Sequence, residues 1–209
     1  EKQEMLKKWD SSAKVFYKAN GSFYEPGDLF VAMDGLKVDG HTFLANAARR
    51  GASCVVVTRP PEDLDVPAWV QVKDSREALA RISANFNNHP SLAMDLVGIT
   101  GTNGKTTLTY LLESILRTAG ERPGVIGTVE VRYADRAEKT EHTTPEADVL
   151  QRILARMRSA SCSHVLMETS SHALELQRSR ACHFRVAVFT NLSRDHLDFH
   201  GSLEAYAQA

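Results

Sequence analysis

The chain has few cysteines, no excess of either charge and no long apolar run, and each absence narrows the class of protein. Its three cysteines, Cys54, Cys162 and Cys182, are an odd number without a Cys-x-x-Cys pair, as expected of buried thiols in a reducing compartment. With 25 basic and 26 acidic side chains, the net charge of −1 creates no overall field for nucleic acid or an anionic membrane. Because no apolar stretch could span a bilayer and no signal peptide is present, we expect a cytoplasmic protein without membrane insertion.

The first part of the chain alternates between short apolar runs and amphipathic patterns. A length of 209 residues and a hydrophobic content of 43% suit a globular chain of one or two domains. The runs that predict strands are 29–33, 55–57 and 69–72, and the helical patterns begin near Thr42 and, capped by Asp74, at Ser75. This alternation predicts an α/β domain over residues 1–91. We place its end within 87–91, where Asn and Pro end the helix.

The predicted second domain, residues 92–209, opens with a glycine-rich turn between an apolar run and a helix. The turn reads Gly101-Thr102-Asn103-Gly104-Lys105-Thr106-Thr107. Its two glycines allow the backbone to fold back with N–H groups directed at an anion, at the positive end of the following helix. Lys105 adds a cation for phosphate oxygens, and the Thr106 hydroxyl suits the accompanying Mg²⁺. Ile99 occupies the first glycine position of the strict P-loop pattern. The turn nevertheless lies between an apolar run and a helix, which predicts a nucleotide-phosphate cradle. The alternative is a turn that binds nothing.

The rest of the second domain predicts a mainly parallel sheet flanked by helices. One helix continues from the turn to Gly120, and another starts with Thr144 as N-cap and Pro145 in the first helical position. The apolar runs that predict strands are 125–131, 165–167 and 186–189, with a polar excursion at 134–142. Short runs separated by helices are typical of a parallel sheet buried on both faces, with functional groups at the carboxyl ends of the strands.

Two groups of polar residues follow predicted strands at that edge. Glu168 stands where a carboxylate can complete a Mg²⁺ shell with Thr106 and phosphate oxygens, the alternative being an ordinary glutamate at a strand end. The segment 191–200 holds two histidines and two aspartates. His196 and His200 could face zinc from one side of a helix, but no third ligand completes the site and the aspartates favour a hard cation. Surface histidines are the alternative.

Four segments resemble the Mur ligases when they are taken together and in order. They are Gly101–Thr107, His142-Thr143-Thr144-Pro145-Glu146, Met167-Glu168-Thr169-Ser170-Ser171-His172-Ala173-Leu174 and Asn191-Leu192-Ser193-Arg194-Asp195-His196-Leu197-Asp198. The resemblance covers about residues 26–209. It implies an ATP-dependent amide ligase of peptidoglycan precursor synthesis that adds the third amino acid of the stem. In such enzymes ATP phosphorylates the terminal carboxyl of UDP-N-acetylmuramoyl-L-alanyl-D-glutamate, and the amine of a diamino acid attacks the acyl phosphate.

The resemblance also implies roles for individual residues. It assigns ATP binding to Gly101, Thr102, Asn103, Gly104, Lys105, Thr106 and Thr107, with Asn191 toward the adenine. Thr106 and Glu168 would hold one Mg²⁺, and Glu168 and His196 a second. We accordingly expect Lys105, Glu168 and His196 to be catalytic. The residues expected to contact the nucleotide-sugar peptide are Thr143, Thr144, Ser170 and Arg178.

The sequence departs from the family pattern near its start. Family members carry Asp-Ser-Arg before the segment that matches residues 26–30, where the triplet helps to hold the uridine, whereas this chain has Asn20-Gly21-Ser22. The resemblance further implies a C-terminal domain, and a carbamylated lysine directly after Ala209 that supports the second Mg²⁺. We therefore expect residues 1–209 to be a fragment, with an N-terminal UDP-substrate domain and a truncated central domain, that forms no product alone.

Two other functions stay open at the level of sequence. One is a folylpolyglutamate synthase, which would share the phosphate loop but is not expected to carry the Thr-Thr-Pro-Glu and Ser-Ser-His-Ala segments. The other is a nucleotide-binding scaffold without catalysis, which would be expected to have lost some of Lys105, Thr106, Glu168 and His196; all are present. We expect a monomer that binds no nucleic acid.

Overall fold

The computed structural model describes residues 15–16, 26–35, 38–61 and 65–209, so the triplet Asn20-Gly21-Ser22 lies outside the described residues. The chain divides into two compact units, 1–82 and 83–209. The boundary expected from the sequence, between 91 and 92, falls within a 3-10 helix (Pro90–Ala93) of the second unit. The functions of the two domains stay predictions.

The first unit is built on a four-stranded parallel sheet. Its strands are β1 (Val15–Phe16), β2 (Leu29–Val31), β3 (Cys54–Val57) and β4 (Trp69–Gln71), which pair in that order. The helices are a 3-10 helix (Gly40–Phe43), α1 (Leu44–Arg49) and α2 (Ser75–Phe86), whose last residues belong to the second unit. Leu44 and Ala47 of α1 pack with Phe30, Val55 and Val57 in the core. The α/β prediction is confirmed.

The second unit is a six-stranded sheet with helices. Its strands are β5 (Asp95–Thr100), β6 (Pro123–Ile126), β7 (Val131–Tyr133), β8 (Arg136–Glu138), β9 (His164–Glu168) and β10 (Val186–Phe189). Their spatial order is β10-β5-β9-β6-β7-β8, parallel from β10 to β6 and antiparallel beyond. The helices are α3 (Lys105–Thr118), α4 (Ala147–Ser159), α5 (Ser171–Glu175), α6 (Leu197–His200) and α7 (Leu203–Gln208). Among the described helices, none is long and apolar enough to cross a membrane.

Local signals at helix ends were good predictors. The Asp74 carboxylate accepts from the N–H groups of Arg76 and Glu77 over 2.8 and 3.0 Å, as an N-cap does. Gly120 follows the end of α3 with a φ of +83°, the left-handed conformation expected just past a helix. Both predictions depend only on neighbours in sequence.

The strands of this sheet differ from the sequence prediction in three respects. The run 125–131 is not one strand, because the chain turns at Gly127, whose N–H bonds to the Glu130 carbonyl over 3.2 Å, and returns antiparallel as β7. The polar excursion that follows contains β8. The sheet is also not buried on both faces throughout: β10 pairs with β5 alone among the described strands, and its Val186 and Phe189 are 48% and 63% exposed.

Candidate nucleotide-phosphate site

The glycine-rich turn leaves the centre of the parallel sheet and enters α3. Gly101 has a φ of +121°, and a Cβ atom there would lie 2.2 Å from the Thr190 Oγ1 atom at the end of neighbouring β10. Gly104 stands at the N-cap of α3 with a φ of +87°. A side chain at either position would be strained, and at Gly101 it would also collide with Thr190. The turn therefore requires both glycines.

The N–H groups of the turn fall into two sets, one bonded to Asn191 and one without a main-chain acceptor. Those of Thr102 and Asn103 donate to the main-chain carbonyl and the side-chain Oδ1 of Asn191, over 2.8 and 3.2 Å. The expectation that the turn as a whole offers its N–H groups to an anion is thus only partly right. Within the described residues, the N–H groups of Lys105, Thr106 and Thr107 have no main-chain acceptor. At the start of a helix such groups attract a phosphate.

Lys105 lies back across the turn. Its Nζ donates to the carbonyl oxygens of Gly101 and Thr102 over 2.5 and 3.0 Å. Burial lowers the pKa of Lys105, although the negative charges of Glu168 and Asp195 act in the opposite direction. An anion bound at the turn would favour the charged lysine further.

Glu168 ends β9 and gathers three elements around its carboxylate. The residue is 2% exposed, and its Oε2 atom accepts from the hydroxyls of Thr106 and Thr128, each over 2.9 Å. Its Oε1 atom accepts from the Thr128 N–H over 3.2 Å. The carboxylate occupies the space next to Gly127, where a Cβ would lie 2.3 Å from Oε1. Hydroxyl and carboxylate oxygens beside a phosphate-binding turn are hard ligands, which fit Mg²⁺.

The expected substrate residues Thr143 and Thr144 contact Thr128 and the main chain of Glu168. Thr143 Oγ1 is 3.1 Å from Thr128 Oγ1. Thr144 is fully buried; its hydroxyl donates to the Glu168 carbonyl over 2.8 Å and accepts from the Ser170 N–H over 3.0 Å. Because the Thr144 hydroxyl is bonded to the end of β9, Thr144 is not the N-cap of α4. The N-cap is Glu146, two residues later.

Ser170 and Arg178 are also tied into the protein. The Ser170 hydroxyl caps α5 by accepting from the Ala173 N–H over 3.2 Å. The Arg178 guanidinium donates to the Thr144 carbonyl over 3.0 Å and pairs with Glu146 over 2.6 Å. Its buried Nε has no partner among the described residues. One donor of Arg178 is thus left unsatisfied beside the residues expected to bind substrate.

The histidines form an aromatic cluster rather than a zinc site. His196 is the left-handed N-cap residue of α6, so it does not share a helix face with His200 as the zinc hypothesis required. The ring centroids of His172 and His196 are 4.7 Å apart. Burial, and then the proximity of the His196 and His200 rings, lower the pKa of His172. The His200 Nε2 atom lies 2.9 Å from the Ser171 Oγ atom.

Within the described residues, the only set of three His, Cys, Asp or Glu ligand atoms lying within 4.8 Å of one another belongs to Asp34, Asp39 and His41. That set already has partners, since Arg59 pairs with both aspartates and the Thr58 N–H donates to the His41 Nε2 atom over 3.1 Å. The second Mg²⁺ site, with Glu168 and His196, stays a prediction.

Sequence reasoning missed several residues that shape the turn. Thr102 Oγ1 accepts from the Ser193 N–H over 2.9 Å and lies 3.0 Å from the hydroxyl of Tyr206 in α7. Thr190 Oγ1 donates to the Asn103 carbonyl over 2.7 Å. A polar residue directly after an apolar strand was a usable signal for Thr190, as it was for Glu168. No local pattern marks Tyr206.

A parallel sheet runs through this turn into a helix, and a lysine, two threonines and a buried glutamate lie at one edge. This is the architecture of P-loop-type nucleotide-binding domains. Two family profiles match the sequence. "Mur ligase middle domain" matches residues 99–209, and "Mur ligase family, catalytic domain" matches residues 15–87. The chain belongs to the Mur ligase family.

Proteins similar to this chain in several bacteria are named as the same ligase. A UDP-N-acetylmuramoyl-L-alanyl-D-glutamate–2,6-diaminopimelate ligase from Caldanaerobacter subterraneus is 45% identical over 184 residues, 88% of this chain and 38% of that protein. The ligase of the same name from Solibacter usitatus is 48% identical over 88% of this chain and 37% of its own length. A solved structure of such a ligase has a TM-score of 0.79 at 30% identity, covering 93% of this chain and 39% of the other. The chain thus spans less than half the length of these relatives.

Proposed function

We propose that the chain forms the N-terminal and central parts of an ATP-dependent amide ligase of peptidoglycan precursor synthesis. The ligase would join a diamino acid to UDP-N-acetylmuramoyl-L-alanyl-D-glutamate through an acyl phosphate. The observation that carries the proposal is the contact of Thr106, at the start of α3, with the buried carboxylate of Glu168. The relatives named as 2,6-diaminopimelate ligases support this reaction and amino acid.

In this reaction the substrate carboxylate must approach the triphosphate of ATP, and the two anions repel each other. The N–H groups of Lys105, Thr106 and Thr107 would bind phosphate oxygens, and the Lys105 Nζ would move from the turn carbonyls to the phosphates. These donors reduce the repulsion between the two anions. Asn191 would lie toward the adenine while its side chain keeps holding Asn103.

Mg²⁺ would be held by Thr106 and Glu168, and a second ion by Glu168 and His196. When bound, Mg²⁺ neutralises charge on the phosphates and on the attacking carboxylate. The contribution of the chain is to fix the orientation of the Glu168 carboxylate through Thr106 and Thr128. Both threonines can keep the carboxylate turned toward the phosphate turn.

The nucleotide-sugar peptide would lie beside the same carboxylate. Thr143, Ser170 and Arg178 are assigned its direct contacts, and buried Thr144 would position the end of β9 for them. The uridine end would bind the N-terminal domain, residues 1–91. A cytoplasmic location is part of this proposal, since ATP is consumed and all three cysteines are free thiols. The proposal also keeps the monomeric state expected from the sequence.

Calorimetric titration of ATP in Mg²⁺ tests the proposal. Replacing Lys105 with Ala removes the mobile cation without touching the buried face of α3, so we expect ATP affinity to fall about tenfold or more. The matched control is Lys139→Ala, at an exposed lysine just after β8. Equal ATP affinity in the Lys105→Ala variant and the control would contradict the assignment.

A further inference from the structure

An open cleft in the second unit lies away from the phosphate turn. It has a volume of about 810 Å³ and is lined by α4, by the β7–β8 hairpin and by Asn87 and Arg122. None of the residues of the turn at 101–107, and none of the residues assigned above to ATP, Mg²⁺ or substrate, lines it. The cleft is therefore a separate surface of this domain.

Four arginines converge on the cleft, and no acidic residue lines it within the part of the chain that the structure describes. They are Arg122, Arg136, Arg152 and Arg156. They come from different parts of the fold: the segment before β6, strand β8, and two positions one turn apart on α4. Because the whole chain has a net charge of −1, this concentration of positive charge does not follow from composition. The fold creates a local field that favours anions.

Carboxylates outside the lining balance only part of this charge. Arg156 pairs with Glu138 over 3.0 Å, and Arg152 pairs with Asp148 over 3.1 Å. Arg122 donates to the Ala160 carbonyl over 2.9 Å, which leaves its charge uncompensated. Within the described part of the chain, no carboxylate lies within 4.0 Å of the Arg136 or Arg122 guanidinium. Arg122 and Arg136 are thus the two arginines available to a bound anion.

The remaining lining is mostly apolar. Val149 and Ala155 of α4, Tyr133 of β7, and Ala134 and Ala160 contribute carbon surface, while Asn87 adds an amide and Ser159 a hydroxyl. Pockets for small organic molecules are typically about 300–1,000 Å³ and combine apolar walls with a few polar groups. The cleft matches this description in size and composition. A ligand with both an apolar body and an anionic group would use both parts of the surface.

We propose that this arginine cleft binds a small organic phosphate. The phosphate would pair with Arg122 and Arg136, whose planar guanidinium groups offer paired N–H donors to phosphate oxygens. The apolar part would lie against Val149 and Ala155. This second anion site is independent of the ligase function, because it shares no residue with the phosphate turn.

A titration of the ¹⁵N-labelled 209-residue chain with naphthyl phosphate, followed by NMR, separates the two sites. We expect shifts in the amides of Arg136, Ala155 and Ala160 that saturate with their own dissociation constant, distinct from any shifts at 101–107. Naphthol, which lacks the phosphate, and inorganic phosphate, which lacks the apolar body, should each bind the cleft about tenfold more weakly or worse.

The double variant Arg122→Gln and Arg136→Gln should weaken binding at the cleft amides by about tenfold or more. Both residues are exposed, and the matched control is Arg180→Gln, at an exposed arginine that does not line the cleft. If the double variant unfolds at a lower temperature, the single variant Arg136→Gln replaces it, with an expected loss of about threefold. Shifts confined to residues 101–107, or equal binding by the charge variants and the control, would overturn the proposal.

Discussion

The Thr106 hydroxyl donates a hydrogen bond to the buried Glu168 carboxylate over 2.9 Å, joining the start of α3 to the end of β9. The Thr128 hydroxyl donates to the same oxygen from the turn between β6 and β7. Three elements that are distant in sequence are therefore held around one negative charge. Removing that charge should therefore weaken binding of a cation at the site, while the conformation of the phosphate turn stays the same.

Replacing Glu168 with Gln should abolish the gain in ATP affinity that Mg²⁺ produces. The turn and its N–H groups stay intact, so affinity for ATP in EDTA should be unchanged, while affinity in Mg²⁺ should fall about tenfold, or about 1.4 kcal/mol. Calorimetry in both buffers measures the two values. Glu175→Gln, at an exposed glutamate of α5, serves as the control. A Glu168→Gln variant that still gains affinity with Mg²⁺ would remove Glu168 from the metal site.

Replacing Gly101 with Ala should destabilise the protein by about 2–4 kcal/mol. The positive φ costs about 1–2 kcal/mol in any L-residue, and the collision with Thr190 adds to it. Gly120→Ala isolates the backbone cost, because Gly120 also has a positive φ but a Cβ there would meet no atom within 4 Å. Denaturant unfolding compares the two. Because a Cβ at Gly101 would also lie 2.8 Å from the Asn191 carbonyl oxygen, equal losses would show that both Thr190 and the Asn191 backbone move aside without cost.

An ion pair between Glu113 of α3 and Arg132 of β7 joins this helix to the β7–β8 hairpin; we call this pair the clamp. The Glu113 Oε2 atom accepts from Arg132 Nε over 2.8 Å, and Oε1 accepts from Arg117 over 3.1 Å. The Arg132→Met variant leaves a buried carboxylate without its main partner, so we expect a loss of about 3 kcal/mol. Arg117, whose side chain is 53% exposed, provides the control: Arg117→Met should cost about 1 kcal/mol or less. Similar losses from both variants would refute the clamp.

The same clamp predicts how stability depends on pH. Hydrogen bonds and charge from Arg132 and Arg117 outweigh burial and lower the pKa of Glu113. The unfolded chain then binds a proton more readily than the folded chain, so this contribution is present above the ordinary pKa of a glutamate and is lost as the pH falls through the lowered value. Unfolding measured from about pH 6 to pH 3 should show a steeper loss in the parent than in Arg132→Met. Parallel curves would exclude Glu113 as the source.

A prediction about substrate binding rests on the sequence alone and concerns the triplet Asn20-Gly21-Ser22. Changing it to Asp-Ser-Arg should tighten binding of UDP-N-acetylmuramoyl-L-alanyl-D-glutamate about tenfold, because one or two polar contacts contribute about 1–3 kcal/mol each. ATP affinity should not change, which makes it the internal control. An unchanged substrate dissociation constant would show that the uridine is held elsewhere.

Sequence alone determined the features that depend on neighbours along the chain. The glycines of the turn, the lysine and threonine at the start of α3, the Asp74 cap and the end of α3 at Gly120 all follow from local backbone geometry. The alternation of strands and helices depends on local periodicity, and it was sufficient to predict the α/β class and the position of Glu168 at a strand end.

Tertiary structure alone decided which polar groups satisfy one another. Asn191 takes two N–H groups of the turn from far along the chain, and the Thr144 hydroxyl bonds to the end of β9 instead of capping α4. The break after Ile126 allows Thr128 to reach the Glu168 carboxylate. These are contacts between residues separated by tens of positions. A buried polar group bonds to whichever partner packing brings next to it, so a local sequence pattern cannot predict which residue that partner is.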